Sequence, residues 1–186
     1  DSLVNQYGTG TSHGEARMAN ILSDMKRDGV GKPYDCVIGV SGGTDSSYLL
    51  YLAKKWGLKP LAVHYDNTWN SSIATMNIQK MLSALDVDLY THVVNNKEAD
   101  DIFRSFFLSG VPEIEASTDL GYAYVLRKVA AKYKVKYVLE GHSFLEEGIT
   151  PLGRNYFDGR YIRAIHDKFG RLKMRTYPLM TILRFL

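Results

Sequence analysis

Four short apolar runs, at residues 35–40, 61–65, 88–94 and 136–140, are rich in β-branched and aromatic residues and do not alternate with polar ones. A strand covered on both faces of a parallel sheet has that pattern, because neither side of its pleat meets water. Between these runs the apolar residues recur at helical spacing. From 45 to 56, Tyr48, Leu49, Leu52, Ala53 and Trp56 share one face, and Gly57 is placed to end the helix. Residues 71–85 repeat the pattern with Ile73, Met76, Ile78, Met81, Leu82 and Leu85. Ser117, Thr118 and Asp119 offer N-caps for a helix carrying Leu120, Tyr124, Leu126, Val129, Ala130 and Tyr133. A further helix, from Glu15 to about Asp28, turns Met18, Ile21, Leu22 and Met25 inward. This alternation predicts an α/β fold, a doubly wound parallel sheet of about five strands with helices on both faces. After Gly148 the regularity fades into a mixture of Gly, Pro, Arg and Tyr. One domain is expected over residues 1–186, with an arm and helix at 1–30 and an irregular basic segment at 149–186 that serves a substrate or partner.

Composition narrows the class without changing the fold. Of 186 residues, 45% are hydrophobic and 23% charged, an ordinary globular balance. A formal charge of +3 does not demand a nucleic-acid partner, and none is expected. The single cysteine, Cys36, excludes an internal disulfide and a cysteine-held metal cluster. No apolar run reaches the roughly 20 residues of a membrane span. A cytoplasmic protein with no membrane span is expected.

The chemistry is concentrated after the first strand, at Ser41-Gly42-Gly43-Thr44-Asp45-Ser46-Ser47. In open α/β sheets, ligands bind beyond the carboxyl ends of the strands. Adjacent glycines let the backbone N–H groups approach an anion. The hydroxyls of Ser41, Thr44, Ser46 and Ser47 add donors, and the following helix points its positive end at the same place. The plainer alternative is a Gly/Ser turn with Thr44 or Asp45 as N-cap. No Gly-Lys-Ser/Thr follows, so the loop is not a Walker A motif.

The complete Ser-Gly-Gly-x-Asp-Ser pattern resembles the PP-loop of the ATP pyrophosphatases, which include GMP, NAD and asparagine synthetases and several tRNA-modifying enzymes. The resemblance implies cleavage of ATP between its α and β phosphates, with AMP passing to a substrate oxygen. It also implies adenine held by backbone near Val40 and Val63, and pyrophosphate held by Ser41, Gly42, Gly43, Asp45 and Ser46, with Thr44 beside them. Asp66, ending the second run, stands where the family often has a polar residue near the nucleotide; it also reads as a loop-starting Asp. At Gly141 the fourth run turns as NAD synthetase does, and a magnesium-binding Glu lies six residues further on in that enzyme. The corresponding residue here is Glu147. Asp45 and Glu147 are therefore the expected ligands of Mg2+, which would offset phosphate charge. Asp45, Ser46 and His142 are the catalytic candidates, His142 reading equally as a loop histidine. Between Arg154 and Arg175, seven Arg/Lys face two Asp, a net charge of +5. That is either a solvated basic face or an anionic-substrate site, with Arg154, Arg160 and Arg163 as its candidates and interleaved aromatics for stacking.

The segment Tyr34-Asp35-Cys36-Val37-Ile38-Gly39-Val40-Ser41-Gly42-Gly43 is similar to the N-acetyl sugar amidotransferases of bacterial surface-polysaccharide (lipopolysaccharide O-antigen) synthesis. So are residues 58–70, 88–94, 147–151 and 163–170. That resemblance implies adenylation of an acetamido carbonyl on a nucleotide-linked sugar, a UDP-diacetamido uronic acid, followed by displacement of AMP by ammonia to leave an amidine. Cys36 lies in a predicted buried strand rather than at a sharp turn, so ammonia is expected from a separate glutaminase subunit. A homodimer is left open. Relatives commonly carry a cysteine-rich, zinc-binding segment upstream; the sequence starts at Asp1 without it, leaving open a piece of a longer protein. The alternatives are a tRNA-modifying ATP pyrophosphatase and a non-catalytic nucleotide-binding protein.

Overall fold

The computed structural model describes residue 8 and residues 10–142 and 158–179. Helix α1 (Ser12–Asp28) leads into strand β1 (Cys36–Gly39), helix α2 (Thr44–Lys55), strand β2 (Pro60–Asp66), helix α3 (Ser72–Leu85) and strand β3 (Leu89–Val93). Helices α4 (Asn96–Ser109) and α5 (Ala116–Lys132), strand β4 (Tyr137–Leu139) and helix α6 (Gly159–Phe169) follow. The described sheet has four strands in the order β3-β2-β1-β4, against about five expected, and every pair is parallel. Among the described residues no helix is long and apolar enough to cross a membrane.

Each predicted strand is present, and helices cover both faces of the sheet. Cys36, Ile38 and Val40 pack with Met25 of α1, Leu50 and Ala53 of α2, and Ile78 and Leu82 of α3. Val37, whose side chain points to the other face, packs with Leu61, Val63 and Tyr65 of β2 and with Val125, Leu126 and Val129 of α5. A third cluster joins Ile102 and Phe106 of α4 to Ile162 and Ile165 of α6 and to Leu179.

The fold departs from the sequence reading at several points. Tyr48 is 60% exposed, and Leu50, absent from the predicted stripe, is fully buried. Rotating α2 to aim Leu50 and Ala53 at β1 carries Tyr48 outward. Ile73 and Met76 are likewise exposed, as is Ile21 of α1, because their helices touch the sheet along a narrower stripe than the apolar pattern suggests. Among the described strands β3 lies at the edge, and its residues alternate between exposed and half-buried, so it is not covered on both faces. Helix α5 begins a turn earlier than its polar triplet suggests: Glu115 is the N-cap, with no side-chain cap bond, and Ser117, Thr118 and Asp119 lie inside the first turn.

Two helices stand where the pattern predicts none. Helix α4 turns Glu98, Asp101 and Ser105 inward together with Ile102 and Phe106, so its buried face is not an apolar stripe. Helix α6 occupies part of the segment read as irregular, and its buried face includes His166. Asp158 caps α6 by accepting from the Tyr161 N–H at 2.8 Å.

Buried carboxylates hold the C-terminal segment against α4. Glu98 accepts from the N–H groups of Arg175, Thr176 and Tyr177 at 2.7–2.9 Å and from the Thr176 hydroxyl at 2.7 Å. Asp101 accepts from the N–H groups of Arg171 and Leu172 at 2.7 and 2.8 Å and pairs with His166 Nε2 at 3.0 Å. Burial alone would raise both acids, yet these donors outweigh it and hold both carboxyls below their ordinary values of 4.5 and 3.8. A depressed folded-state value contributes stability that is complete above the unfolded value and is lost as pH falls through the folded one. The midpoint of urea unfolding is therefore expected to drop as pH falls below about 4.5. Glu98→Gln and Asp101→Asn variants should show a flatter acid limb; a limb as steep as the parent's in both would contradict this account.

Candidate functional site

The site follows from strand order. The chain steps outward from β1 to β2 to β3, then returns through α4 and α5 to place β4 on the other side of β1. The carboxyl ends of β1 and β4 thus flank the topological switch point, where loops diverge and leave a crevice. A Cβ at Gly141, just after β4, would lie 3.1–3.2 Å from the peptide joining Asp45 and Ser46, so the two loops are in close contact.

The loop after β1 is a tight turn held in place by its own hydroxyls and by α3. Gly42 has φ +81°, and a Cβ there would sit 2.4 Å from the Ala74 carbonyl oxygen in the first turn of α3. Only glycine combines that conformation with that approach. The Asn77 side-chain amide donates to the Gly42 carbonyl at 3.3 Å, fixing the loop from α3. Ser46 Oγ accepts from the Ser41 N–H at 3.3 Å and lies 3.3 Å from Ser41 Oγ, which draws the two hydroxyls together. Neither Thr44 nor Asp45 is the N-cap. That position is Gly43, in extended conformation and with no side-chain cap bond of its own; its N–H donates to Ser41 Oγ at 3.4 Å. Lys80 of α3 lines an open groove on the outer side of the loop with Gly42, Gly43, Thr44, Ser47 and Asn77.

On the inner side is a crevice of about 340 Å³. Gly39, Val40, Ser41, Asp45 and Ser46 form one wall, with Gly141 and His142 beside them; His64, Asn67 and Asn70 come from the end of β2, and Thr118, Asp119 and Tyr122 from α5. A carbonyl can only accept, so His64 Nδ1, 2.9 Å from the Val40 carbonyl, carries the proton, and Nε2 faces the donating Asn70 amide at 3.4 Å. These contacts tie the β2 end to the start of the Ser41–Ser47 loop. The Tyr122 hydroxyl lies so close to Gly39 that an added Cβ would be 1.7 Å away. Burial, with the charge of Glu140 adding to it, pushes the Tyr122 phenol up to about 12, so it stays protonated and can donate a hydrogen bond. The Asp119 carboxyl is raised by burial and by the like charges of Glu113 and Glu115, and His142 opposes the shift.

The structure brings Val40, Ser41, Asp45, Ser46, Gly141 and His142 to one crevice, with Gly42, Gly43 and Thr44 on the reverse of the same loop. His142 also lies 3.8 Å from the Glu140 carboxylate at an exposed position. Val63 is not among the residues lining the crevice; its side chain is in the core and its carbonyl accepts from the Val40 N–H at 2.9 Å. Asp66 organises its own turn, accepting from the Thr68 N–H at 2.8 Å and the Asn70 amide at 3.0 Å. Arg160 and Arg163 are exposed on α6 and do not line the crevice. Glu147 and Arg154 lie outside the described residues. His64, Asn67, Asn70, Asp119 and Tyr122 were not legible as site residues; the one available signal was that Asn67 and Asn70 follow directly on a strand's carboxyl end. Cys36 is fully buried, and burial with the neighbouring Asp35 pushes its thiol up to about 12, so it is no nucleophile.

A metal ion is testable on the donor set. Among the described residues no group of three or more His, Cys, Asp or Glu could hold a metal ion. Magnesium, however, is commonly held by one or two carboxylates together with phosphate oxygens and waters, and Asp45 lines the crevice beside the phosphate loop, so the residues fit such an ion.

No protein-family model matches the chain, and no curated protein does. Among solved structures it is similar to a glutamine-dependent NAD+ synthetase from Acinetobacter baumannii in complex with adenosine diphosphate, at 19% identity and TM-score 0.53 over 68% of this chain. It spans 24% of that protein's length. It is also similar to an NMN synthetase from Francisella tularensis, at 20% identity and TM-score 0.50, covering 83% of this chain and 68% of the synthetase. What these likenesses share is architecture: the chain has an adenine nucleotide alpha hydrolase-like α/β fold, with a parallel sheet, four-stranded among the described residues, flanked by helices.

Proposed function

We propose that this chain is an ATP-pyrophosphatase-type amidotransferase acting on a nucleotide-linked N-acetyl sugar, of which a UDP-diacetamido uronic acid is the leading candidate. The observation that carries the ATP half is the Ser41–Ser47 loop, held in a tight turn between β1 and α2 at the switch point of the sheet. The shared fold with two synthetases, one solved with adenosine diphosphate, supports it. The sugar half rests on the sequence resemblance.

The chemistry is balanced by standard steps. The acetamido oxygen attacks the α-phosphorus of ATP and pyrophosphate leaves; the activated carbon takes up ammonia, and AMP departs with the former amide oxygen, leaving an amidine. N–H groups at the start of α2 and the hydroxyls of Ser41 and Ser46 would stabilise charge gathering on the leaving pyrophosphate. Asp45, with Glu147, would hold a magnesium ion that offsets phosphate charge. Tyr122 would donate to an oxygen in the crevice. Because Cys36 cannot form the thioester of glutamine hydrolysis, the ammonia would come from a separate glutaminase subunit.

The test is release of pyrophosphate and AMP from ATP, magnesium and ammonium, with UDP-diacetamido uronic acids and unmodified tRNA as competing acceptors. Sugar-dependent AMP is the expected result. AMP formed with tRNA but not sugar would replace this reading with tRNA modification, and binding of ATP without turnover on any acceptor would leave a nucleotide-binding protein.

A further inference from the structure

The crevice has a side chamber. Tyr65, Asn67 and Thr118 are shared between the crevice and a second, smaller cavity, whose remaining walls are Trp69 after β2, Ala99, Ile102 and Phe103 of α4, Glu115 and Ser117 at the start of α5, and Tyr177. Its free space is about 30 Å³, room for about two water molecules. A sugar ring does not fit, whereas a methyl-sized substituent does.

The aromatic walls are packed in place, and the polar atoms of Trp69 and Tyr177 are already engaged. The Trp69 indole N–H donates to Asp100 at 3.2 Å, and its ring meets Phe103 edge-to-face with centroids 4.4 Å apart. The Tyr177 hydroxyl donates to the Ser117 carbonyl at 2.5 Å, while its N–H is held by Glu98 at 2.8 Å. The Tyr65 hydroxyl is packed against Gly121, where an added Cβ would approach within 2.5 Å. On this side the walls offer a guest ring carbon, with Asn67, Glu115, Ser117 and Thr118 lining the rest. A small cavity walled in part by packed aromatic rings discriminates by volume, and one added methylene in an apolar pocket is worth about 10–200-fold in kcat/KM.

We propose that this side chamber is the acyl-methyl subsite of the acceptor: it takes the CH3 of an acetamido group whose carbonyl faces the crevice at the Tyr65–Thr118 boundary, and Phe103 sets the upper limit on acyl size. The proposal rests on the functional reading above and makes the protein selective for N-acetyl over longer N-acyl sugars. It also gives a role to residues 175–177, which the buried Glu98 carboxylate anchors beside the chamber.

The test compares UDP-diacetamido uronic acid with its N-propionyl homologue as acceptors, for the parent protein and for Phe103→Ala and Phe103→Leu. Phe103 is half-buried, and the milder Leu variant guards against loss of folding. The parent should prefer the acetyl acceptor by about tenfold or more, and the variants should shift that ratio toward propionyl by a similar factor with the KM for ATP unchanged. Equal use of both acceptors by the parent, or an unshifted ratio in both variants, would overturn the subsite while leaving the amidotransferase reading intact. No AMP from either sugar in the parent would overturn the functional reading and the subsite with it.

Discussion

Replacing Gly42 with alanine is expected to lower kcat/KM for ATP by about a hundredfold or more while leaving the protein folded. Position 42 has φ +81°, and left-handed backbone costs an L-residue with a side chain roughly 1–2 kcal/mol. The new methyl would also meet the Ala74 backbone, 2.4 Å from the oxygen and 2.9 Å from the carbon and Cα. Backbone at the start of a capped helix yields less readily than a flexible side chain, so the loop must move. Moving it disturbs the Ser41 N–H to Ser46 Oγ and Gly43 N–H to Ser41 Oγ contacts that set the loop's hydroxyls, and one lost preorganised donor costs about 10²–10³-fold. The neighbouring glycine is the control. Gly43 has φ −82°, and a Cβ there would meet only Ser41 Oγ, at 3.4 Å. Gly43→Ala should therefore keep activity within about tenfold of the parent. Steady-state pyrophosphate release, read beside the urea unfolding midpoint, separates lost catalysis from lost folding. Equal activity in the two variants would show that the Gly42 conformation is not what binds nucleotide.

Asp45→Ala should abolish turnover, by about a thousandfold or more, with little change in stability. Asp45 is in the first turn of α2, where a carboxylate facing the helix dipole contributes only about 0.3–1 kcal/mol. Its position in the crevice beside the phosphate loop is otherwise unfavourable, since a carboxylate repels a triphosphate unless a cation lies between them. Removing it should leave nucleotide binding measurable and make it insensitive to magnesium, and Asp45→Asn should behave the same way. Titration of magnesium against pyrophosphate release, with calorimetric binding of a non-hydrolysable ATP analogue, reads both quantities. Near-normal rates in Asp45→Ala would mean that the loop has been misread as catalytic.

What could be read in advance was local. The run at 35–40 is apolar on both faces because β1 lies inside the sheet, so burial is written into every residue of it. The same holds for β2. The loop between β1 and α2 was legible because its chemistry needs glycines, hydroxyls and a helix start in consecutive positions, which proximity along the chain supplies. The third run, at 88–94, was legible as a strand but not as an edge, since strand order is a property of the sheet rather than of the segment.

The residues that complete the crevice come from three places far apart in sequence, the ends of β2 and β4 and the first turns of α5. Thr118 and Asp119 read as caps because short polar side chains before an apolar helix usually bond to its free N–H groups. In the fold the helix starts earlier, and those side chains line the crevice instead. Helix α4 was hidden for a related reason. Glu98 and Asp101 look solvent-facing in sequence, yet they are buried because backbone N–H groups some seventy to eighty residues later converge on them.

The sequence by itself determined the parallel α/β class and the phosphate loop, since buried strands and anion cradles are made by contiguous residues. Only the tertiary structure decided which strand is an edge, which acids are buried and which aromatics wall the side chamber. Those properties depend on partners that the chain brings together only on folding.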